Sequence, residues 1–186
     1  MGGIDEMSDA PRTGTPTLFV FGGLPGTGKT ELSQALARRL RAVHLRIDTV
    51  EQALRDEGHD VTGPEGYVVA CQLARDNLRL GLSVVADAVN PIAWTRQSWR
   101  QVATDAGVRC CEIEVVCSDE AEHRRRVESR ASTVPGLRLP SWQEVLDREY
   151  EPWPEAAIVV DTAGETPGQS QARLARALAE LGFPTW

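Results

Sequence analysis

The chain has 186 residues, close to the size of one domain and long enough to bury a core without disulfide staples. Its 41% hydrophobic and 25% charged residues exclude wholesale disorder, and no apolar run nears the ~18 residues that a membrane span needs. A net charge of −7 opposes binding to a phosphodiester backbone, while leaving room for a local basic pocket that takes a phosphorylated small molecule.

Residues 1–16, dominated by Gly, Asp, Thr and Pro, fit no signal-peptide pattern and read as a disordered tail. Residues 17–186 read as one domain in which apolar runs alternate with amphipathic stretches. Thr17–Gly22 (TLFVFG) predicts a buried strand, and Lys29–Arg41 a helix with Leu32, Leu36 and Leu40 on one face. A strand over Val43–Ile47 leads into a helix over Asp48–Glu57, which Asp48 is placed to cap. A polar loop, 58–66, precedes a helix over Tyr67–Leu80 that Gly81 ends. Ser83–Ala86 is the third strand, Trp94–Ala106 a helix stopped by Gly107, and Val108–Val116 the fourth strand. Asp119–Ala131 is a strongly basic helix, followed by a loop over 132–140; residues 119–140 together read as a lid. A short helix opens at Ser141 with a capping box to Glu144. A fifth strand, Ala157–Val160, and a helix, Gln169–Leu181, complete the pattern. Strands alternating with helices predict an α/β fold, a parallel sheet covered on both faces in a three-layer sandwich.

The segment after the first strand, Gly23-Leu24-Pro25-Gly26-Thr27-Gly28-Lys29-Thr30, matches G-x-x-x-x-G-K-[ST] at every fixed position, in the required strand–loop–helix context. Gly23, Gly26 and Gly28 let the backbone curl with its N–H groups inward, forming an anion nest at a helix N-terminus. Lys29 places a compact charge at the β- and γ-phosphates, and the Thr30 hydroxyl suits Mg²⁺. Lys29 is also the single lysine among 20 basic residues, in a chain that otherwise uses Arg.

Two aspartates end strands on the same rim, where ligands of open α/β sheets bind. Asp87 suits Mg²⁺, directly or through water, or caps a turn that continues into Asn90-Pro91. Asp48 suits the proton of an acceptor hydroxyl, and capping its helix leaves one carboxylate oxygen free for that work. Its neighbour Arg46 is placed either to contact an acceptor or to form a surface salt bridge. In the basic helix, Arg126 and Arg130 stand at i and i+4, placed to offset charge on a transferring phosphoryl group or to sit on a solvated face. His123 reads as a surface residue. Cys71, Cys110, Cys111 and Cys117 lack metal spacing and read as packing thiols of a reducing cytoplasm. Adjacent on a strand, Cys110 and Cys111 point to opposite faces. Trp94 and Trp99 read as packing residues, with stacking on an aromatic acceptor as the other use.

The phosphate loop Gly23–Thr30, the R-I-D-T segment Arg46–Thr49, the V-V-A-D-A-V-N segment Val84–Asn90 and the Arg126/Arg130 pair together resemble the small P-loop kinases of the AAA_33 type. That group is similar to polynucleotide kinase kinase domains, chloramphenicol phosphotransferase, gluconate kinase and zeta-toxin kinases. The resemblance implies a five-stranded sheet of order 2-3-1-4-5, ATP with Mg²⁺, and phosphoryl transfer to a hydroxyl of a small molecule. It implies that Asp48 is the base, maps Arg126 and Arg130 onto the lid arginines by spacing, and puts adenine near residues 161–165. The loop 58–66 and the helix from Tyr67 are expected to shape the acceptor pocket. A polynucleotide 5′-hydroxyl kinase and an ATP-binding regulator without phosphotransfer are the alternatives; the acidic balance disfavours the first, and Asp48 with the arginines disfavours the second. Asp161-Thr162-Ala163-Gly164-Glu165 looks like a GTPase switch, but no N-K-x-D guanine motif accompanies it. An AAA+ machine does not fit a chain of this length, which also has no evident arginine-finger region.

Overall fold

The computed structural model describes residues 15–184, so all but the last two residues of the tail expected over residues 1–16 lie outside the described residues. In chain order the elements are β1 (Thr17–Gly22), α1 (Lys29–Leu40), β2 (Val43–Arg46), α2 (Ile47–Asp56), α3 (Glu65–Arg79) and β3 (Val84–Asp87). Then follow α4 (Ala93–Ala106), β4 (Arg109–Val116), α5 (Glu120–Ser129), α6 (Trp142–Leu146), β5 (Ile158–Asp161) and α7 (Pro167–Glu180). The five strands are all parallel, in the order β2-β3-β1-β4-β5.

Alternation along β1 divides the core. Leu18 and Val20 pack with Ala70, Ala74 and Leu78 of α3 and Trp99 and Val102 of α4. Phe19 and Phe21 face the other way, onto Leu32 and Leu36 of α1 and Leu174 and Leu178 of α7. All four strand residues are completely buried, each worth about 1.5–3 kcal/mol of hydrophobic stabilisation. Cys110 and Cys111 fall on opposite faces, as the two-residue period requires.

Several boundaries move for local reasons. The chain turns into α2 early: Arg46, still extended, is the N-cap and buried Ile47 takes the first helical position. Asp48 is therefore not the cap; it sits in the first turn, where its charge still favours the helix N-terminus. Helix α3 starts two residues before Tyr67, at Glu65. Helix α7 starts at Pro167 because Thr166 and Gln169 form a capping box.

The turn after β3 is a buried polar hub rather than a plain turn. Asn90 is fully buried with φ +51. Its Nδ2 donates to the Phe21 carbonyl (2.8 Å), its Oδ1 accepts from the Trp99 indole (3.1 Å), and its backbone N–H donates to the Tyr67 hydroxyl (3.2 Å). Arg96, 1% exposed, donates to the carbonyls of Asn90, Pro91, Glu151 and Pro152 at 2.6–3.2 Å. Its guanidinium also lies 4.8 Å from the Trp153 ring centre. This side chain ties the segment ahead of β5 to the turn behind the phosphate loop.

Candidate active site

Strand β1 runs straight into the glycine-rich loop, and close packing explains its glycines. A Cβ on Gly23 would lie 2.2 Å from the Val115 carbonyl oxygen, and one on Gly26 would lie 2.6 Å from Val127 Cγ2. Both have positive φ, +140 and +90, and Gly28 at φ +92 is the N-cap of α1. The loop is held by the Gly23 N–H on the Val89 carbonyl (3.0 Å) and the Thr27 hydroxyl on the Leu24 carbonyl (3.0 Å). Lys29 is 7% exposed and forms no ion pair among the described residues.

Helix α5 lies directly on this loop. His123 is buried, contrary to its expected place on the surface, because α5 turns one side onto Pro25 and Gly26. Its Nε2 is 2.8 Å from the Pro25 carbonyl, and its ring meets Trp142 edge-on at 5.1 Å. Arg126 donates to the Thr162 hydroxyl (2.7 Å) and carbonyl (2.9 Å) and pairs with Glu122, which accepts from the Gly164 N–H (2.8 Å). The Thr162 hydroxyl is in turn 2.8 Å from the Thr27 carbonyl. Arg130 is the C-cap of the helix, and its N–H still bonds the Arg126 carbonyl at 3.2 Å, so the i, i+4 spacing holds. The two arginines share one cleft with Lys29 and Thr30, about 290 Å³ in volume.

The strand-end aspartates meet at Arg46. Its Nη2 donates to Asp48 Oδ2 (3.2 Å), its Nη1 to Thr133 Oγ1 (2.8 Å), and its Nε is 4.0 Å from Asp87 Oδ2. Asp87 is 2% exposed, and its Oδ2 has no hydrogen-bond partner among the described residues. His44 Nε2 lies 3.8 Å from that oxygen and 3.0 Å from Ser33 Oγ. Burial holds the His44 imidazole below its ordinary range, against the opposing pull of Asp87. Asp48 is far more open, with its side chain 41% exposed.

Two further cavities adjoin the cleft. One, about 260 Å³, is lined by Gly28, Leu32, Arg126, Thr162, Glu165 and Pro167. The other, about 510 Å³, extends from Lys29 and Thr30 past Asp48 to Glu51, Gln52 and Arg55 of α2, and is walled by residues 136–140 and Arg148. Helix α2 and the segment after α5 line it, while the loop 58–66 stands behind α2, with Gly66 packed against Glu51 and the Val61 carbonyl 3.5 Å from Arg55 Nη2. Tyr67 instead lines a shallower groove between α3 and α4 with Trp94. Trp99 and Trp153 are core residues, whereas Trp94 is half exposed. Of the residues sequence reasoning missed, His123 carried a signal, since it stands four before the apolar Val127 on the buried side of α5. Arg96 and Thr162 carried none, because Thr162's partners and two of the four that hold Arg96 lie tens of residues away.

No helix among the described residues is long and apolar enough to cross a membrane. The four cysteines are free thiols. The chain matches a family described as an AAA domain, AAA_33, over residues 18–148. It is 27% identical over 151 residues to a probable adenylyl-sulfate kinase of Aeropyrum pernix, covering 77% of this chain and 82% of that protein. It is 32% identical over 173 residues to a nucleotide-binding protein of Stenotrophomonas maltophilia, covering 84% of this chain but only about half (51%) of that protein. The APS kinase of Mycobacterium tuberculosis, solved with AMPPNP and APS, superposes with a TM-score of 0.67 at 18% identity, covering 89% of this chain and 98% of that one. That structure shares the all-parallel 2-3-1-4-5 fold of the P-loop nucleotide-binding proteins. With the family matched over most of its length and the strand order in agreement, the chain belongs to the AAA_33 family.

Proposed function

We propose that the protein is an ATP-dependent kinase of the cytoplasm that transfers the γ-phosphoryl group to a hydroxyl of a small molecule. The observation that carries this reading is one wall with two uses. Lys29, Thr30 and Arg130 line both the phosphate cleft and the larger cavity that contains Asp48. A donor phosphate on the loop and an acceptor beside Asp48 would thus share a boundary. The kinase names of the Aeropyrum and Mycobacterium relatives support the same reading.

In this reading the inward N–H groups of Gly23–Thr30 and the Lys29 ammonium bind the β- and γ-phosphates. The cavity beside Gly28, Thr162 and Glu165 suits the adenine end, and Arg126 borders it and the phosphate cleft alike. Arg46 holds Asp48 by one oxygen, leaving the other to accept the acceptor's proton as its oxygen attacks. Arg130 reaches the transferring group from the other side and offsets its charge. Asp87 and Thr30 suit Mg²⁺: Asp87 offers a buried, unpartnered carboxylate oxygen at the strand end, and Thr30 a half-buried hydroxyl. When bound there, Mg²⁺ would supply charge neutralisation at the β- and γ-phosphates.

The test is transfer from γ-labelled ATP into a cell extract divided into small-metabolite and nucleic-acid fractions. Label should enter the small-metabolite fraction and vanish with Lys29→Ala. Asp48→Asn should keep ATP binding and lose about 10²–10⁴ in kcat. Full kcat in that variant would overturn the base assignment. Label in nucleic acid alone would make the protein a polynucleotide kinase, and label in neither fraction, with ATP still bound, would make it a regulator.

A further inference from the structure

The cavity beside Asp48 has a charge that the rest of the molecule does not. The chain carries 27 acidic against 20 basic residues, yet this cavity is lined by six basic side chains and two acidic ones. Three of the six, Lys29, Arg46 and Arg130, border the phosphate cleft as well, so the donor phosphates and Asp48 account for them. The other three, Arg55, Arg138 and Arg148, lie outside that cleft, on the part of the cavity that a donor nucleotide would not fill.

These three differ in how their charges are met. Arg55 pairs with Glu51 on the same helix at 3.0 Å. Arg138 pairs with Glu144, a carboxylate already engaged by the N–H and hydroxyl of Ser141 in the capping box of α6. Arg148 forms no hydrogen bond and no ion pair among the described residues, although its charge reaches Glu51, Tyr67 and Glu144. On the shared wall, Arg130 Nε is also buried without a partner. Glu51 is packed tightly enough that a Cβ on Gly66 would lie 2.5 Å from its Cγ, and burial raises its carboxyl above the ordinary range. Glu51 is the one carboxylate besides Asp48 on the cavity wall, and Arg55 already holds it.

The geometry points to an acceptor that is itself an anion: a small hydroxyl compound bearing a carboxylate, phosphate or sulfate group. Its hydroxyl would lie at Asp48, and its anionic group would be held by Arg148 with Arg55. A planar guanidinium grips such oxyanions with two parallel hydrogen bonds, and Arg148, exposed at the cavity wall and unpaired among the described residues, has its donors free to do so. About 510 Å³ accommodates a metabolite of this kind. This inference rests on the kinase reading and narrows its substrate class; it separates charged metabolites from neutral sugars and neutral antibiotics.

The experiment passes a small-metabolite filtrate of a cell extract over a strong anion exchanger at neutral pH. The retained and flow-through fractions are each incubated with the full chain and γ-labelled ATP, with Lys29→Ala as control. Label is expected in acceptors from the retained fraction. Equal or greater labelling of the flow-through would overturn the anionic acceptor while leaving the kinase intact. Label in neither fraction would overturn the metabolite-kinase reading and this inference with it. For the labelled acceptor, Arg148→Gln should raise KM about tenfold or more while KM for ATP moves less than twofold. Arg148→Lys, which keeps the charge and loses the fork, should recover part of that loss. An unchanged acceptor KM in both Arg148→Gln and Arg55→Gln would overturn their assignment.

Discussion

Gly26→Ala offers a quantitative test of how α5 is seated. The new methyl would lie 2.6 Å from Val127 Cγ2 on a backbone with φ +90. The left-handed conformation costs about 1–2 kcal/mol, and forcing a methyl into an occupied site about 1–3 more. We expect about 3 kcal/mol of destabilisation in total. Val127→Ala alone removes a side chain that is only 4% exposed and should cost about 2 kcal/mol. If α5 packs on the loop as described, the second change makes room for the first. The double variant should then cost about 3 kcal/mol rather than about 5, because the overlap disappears while the φ strain and the lost burial remain. Urea denaturation of the four proteins gives this coupling directly. Additivity within about 0.5 kcal/mol would refute the packing argument.

Three more outcomes follow from other parts of the fold. Arg96→Met should lose about 3–5 kcal/mol, since it strips the donors from the Asn90, Glu151 and Pro152 carbonyls, while Pro91 keeps the Glu151 N–H; a urea midpoint shift worth less than about 1 kcal/mol would show that water replaces the guanidinium. Asp87→Asn should leave nucleotide-free stability unchanged or higher, because it removes a buried charge with an unpartnered oxygen, and should lower kcat at least about 100-fold; loss of stability without loss of turnover would reverse that assignment. Burial pushes the Cys110 and Cys111 thiols from their usual 9.0 up to about 12, so both should resist a thiol reagent at pH 8 in the native state and react on unfolding. Their raised values contribute stability that is full below about pH 9 and is lost as pH rises toward 12, which alkaline denaturation of Cys→Ala variants would detect.

The features legible beforehand are those with local causes. The phosphate loop is written in three glycines whose positive φ no other residue tolerates well, and in a lysine that belongs to the following helix. Asp87 was placed correctly because a strand end is set by the length of an apolar run. Asp48 reached the expected rim but not the capping role, since buried Ile47 takes the first helical position ahead of it. What stayed hidden depends on distant chain. Arg96 reads as one more surface arginine until residues 151 and 152, about 55 positions away, bring their carbonyls to it. That the segment after α5 walls the cavity beside Asp48 stayed hidden too, because nothing in a single sequence tells which surface that segment will cover. The burial of His123 was masked by the five charged residues that surround it between Glu120 and Arg126.

The seating of α5 also bears on speed. Held to the phosphate loop through His123 and Val127, and to the turn after β5 through Arg126, this helix cannot swing without dragging the nucleotide cradle along. Motion at the mouth of the larger cavity is thus left to residues 131–140, an irregular stretch fastened by Arg46 on Thr133, by buried Val134 and by the Arg138–Glu144 pair. Opening of a segment that covers a cavity takes about microseconds to seconds, and phosphoryl-transfer enzymes turn over about 1–100 times per second. The two ranges overlap, so stiffening this stretch alone would show whether the doorway or the bond chemistry sets the tempo of a cycle built on this frame.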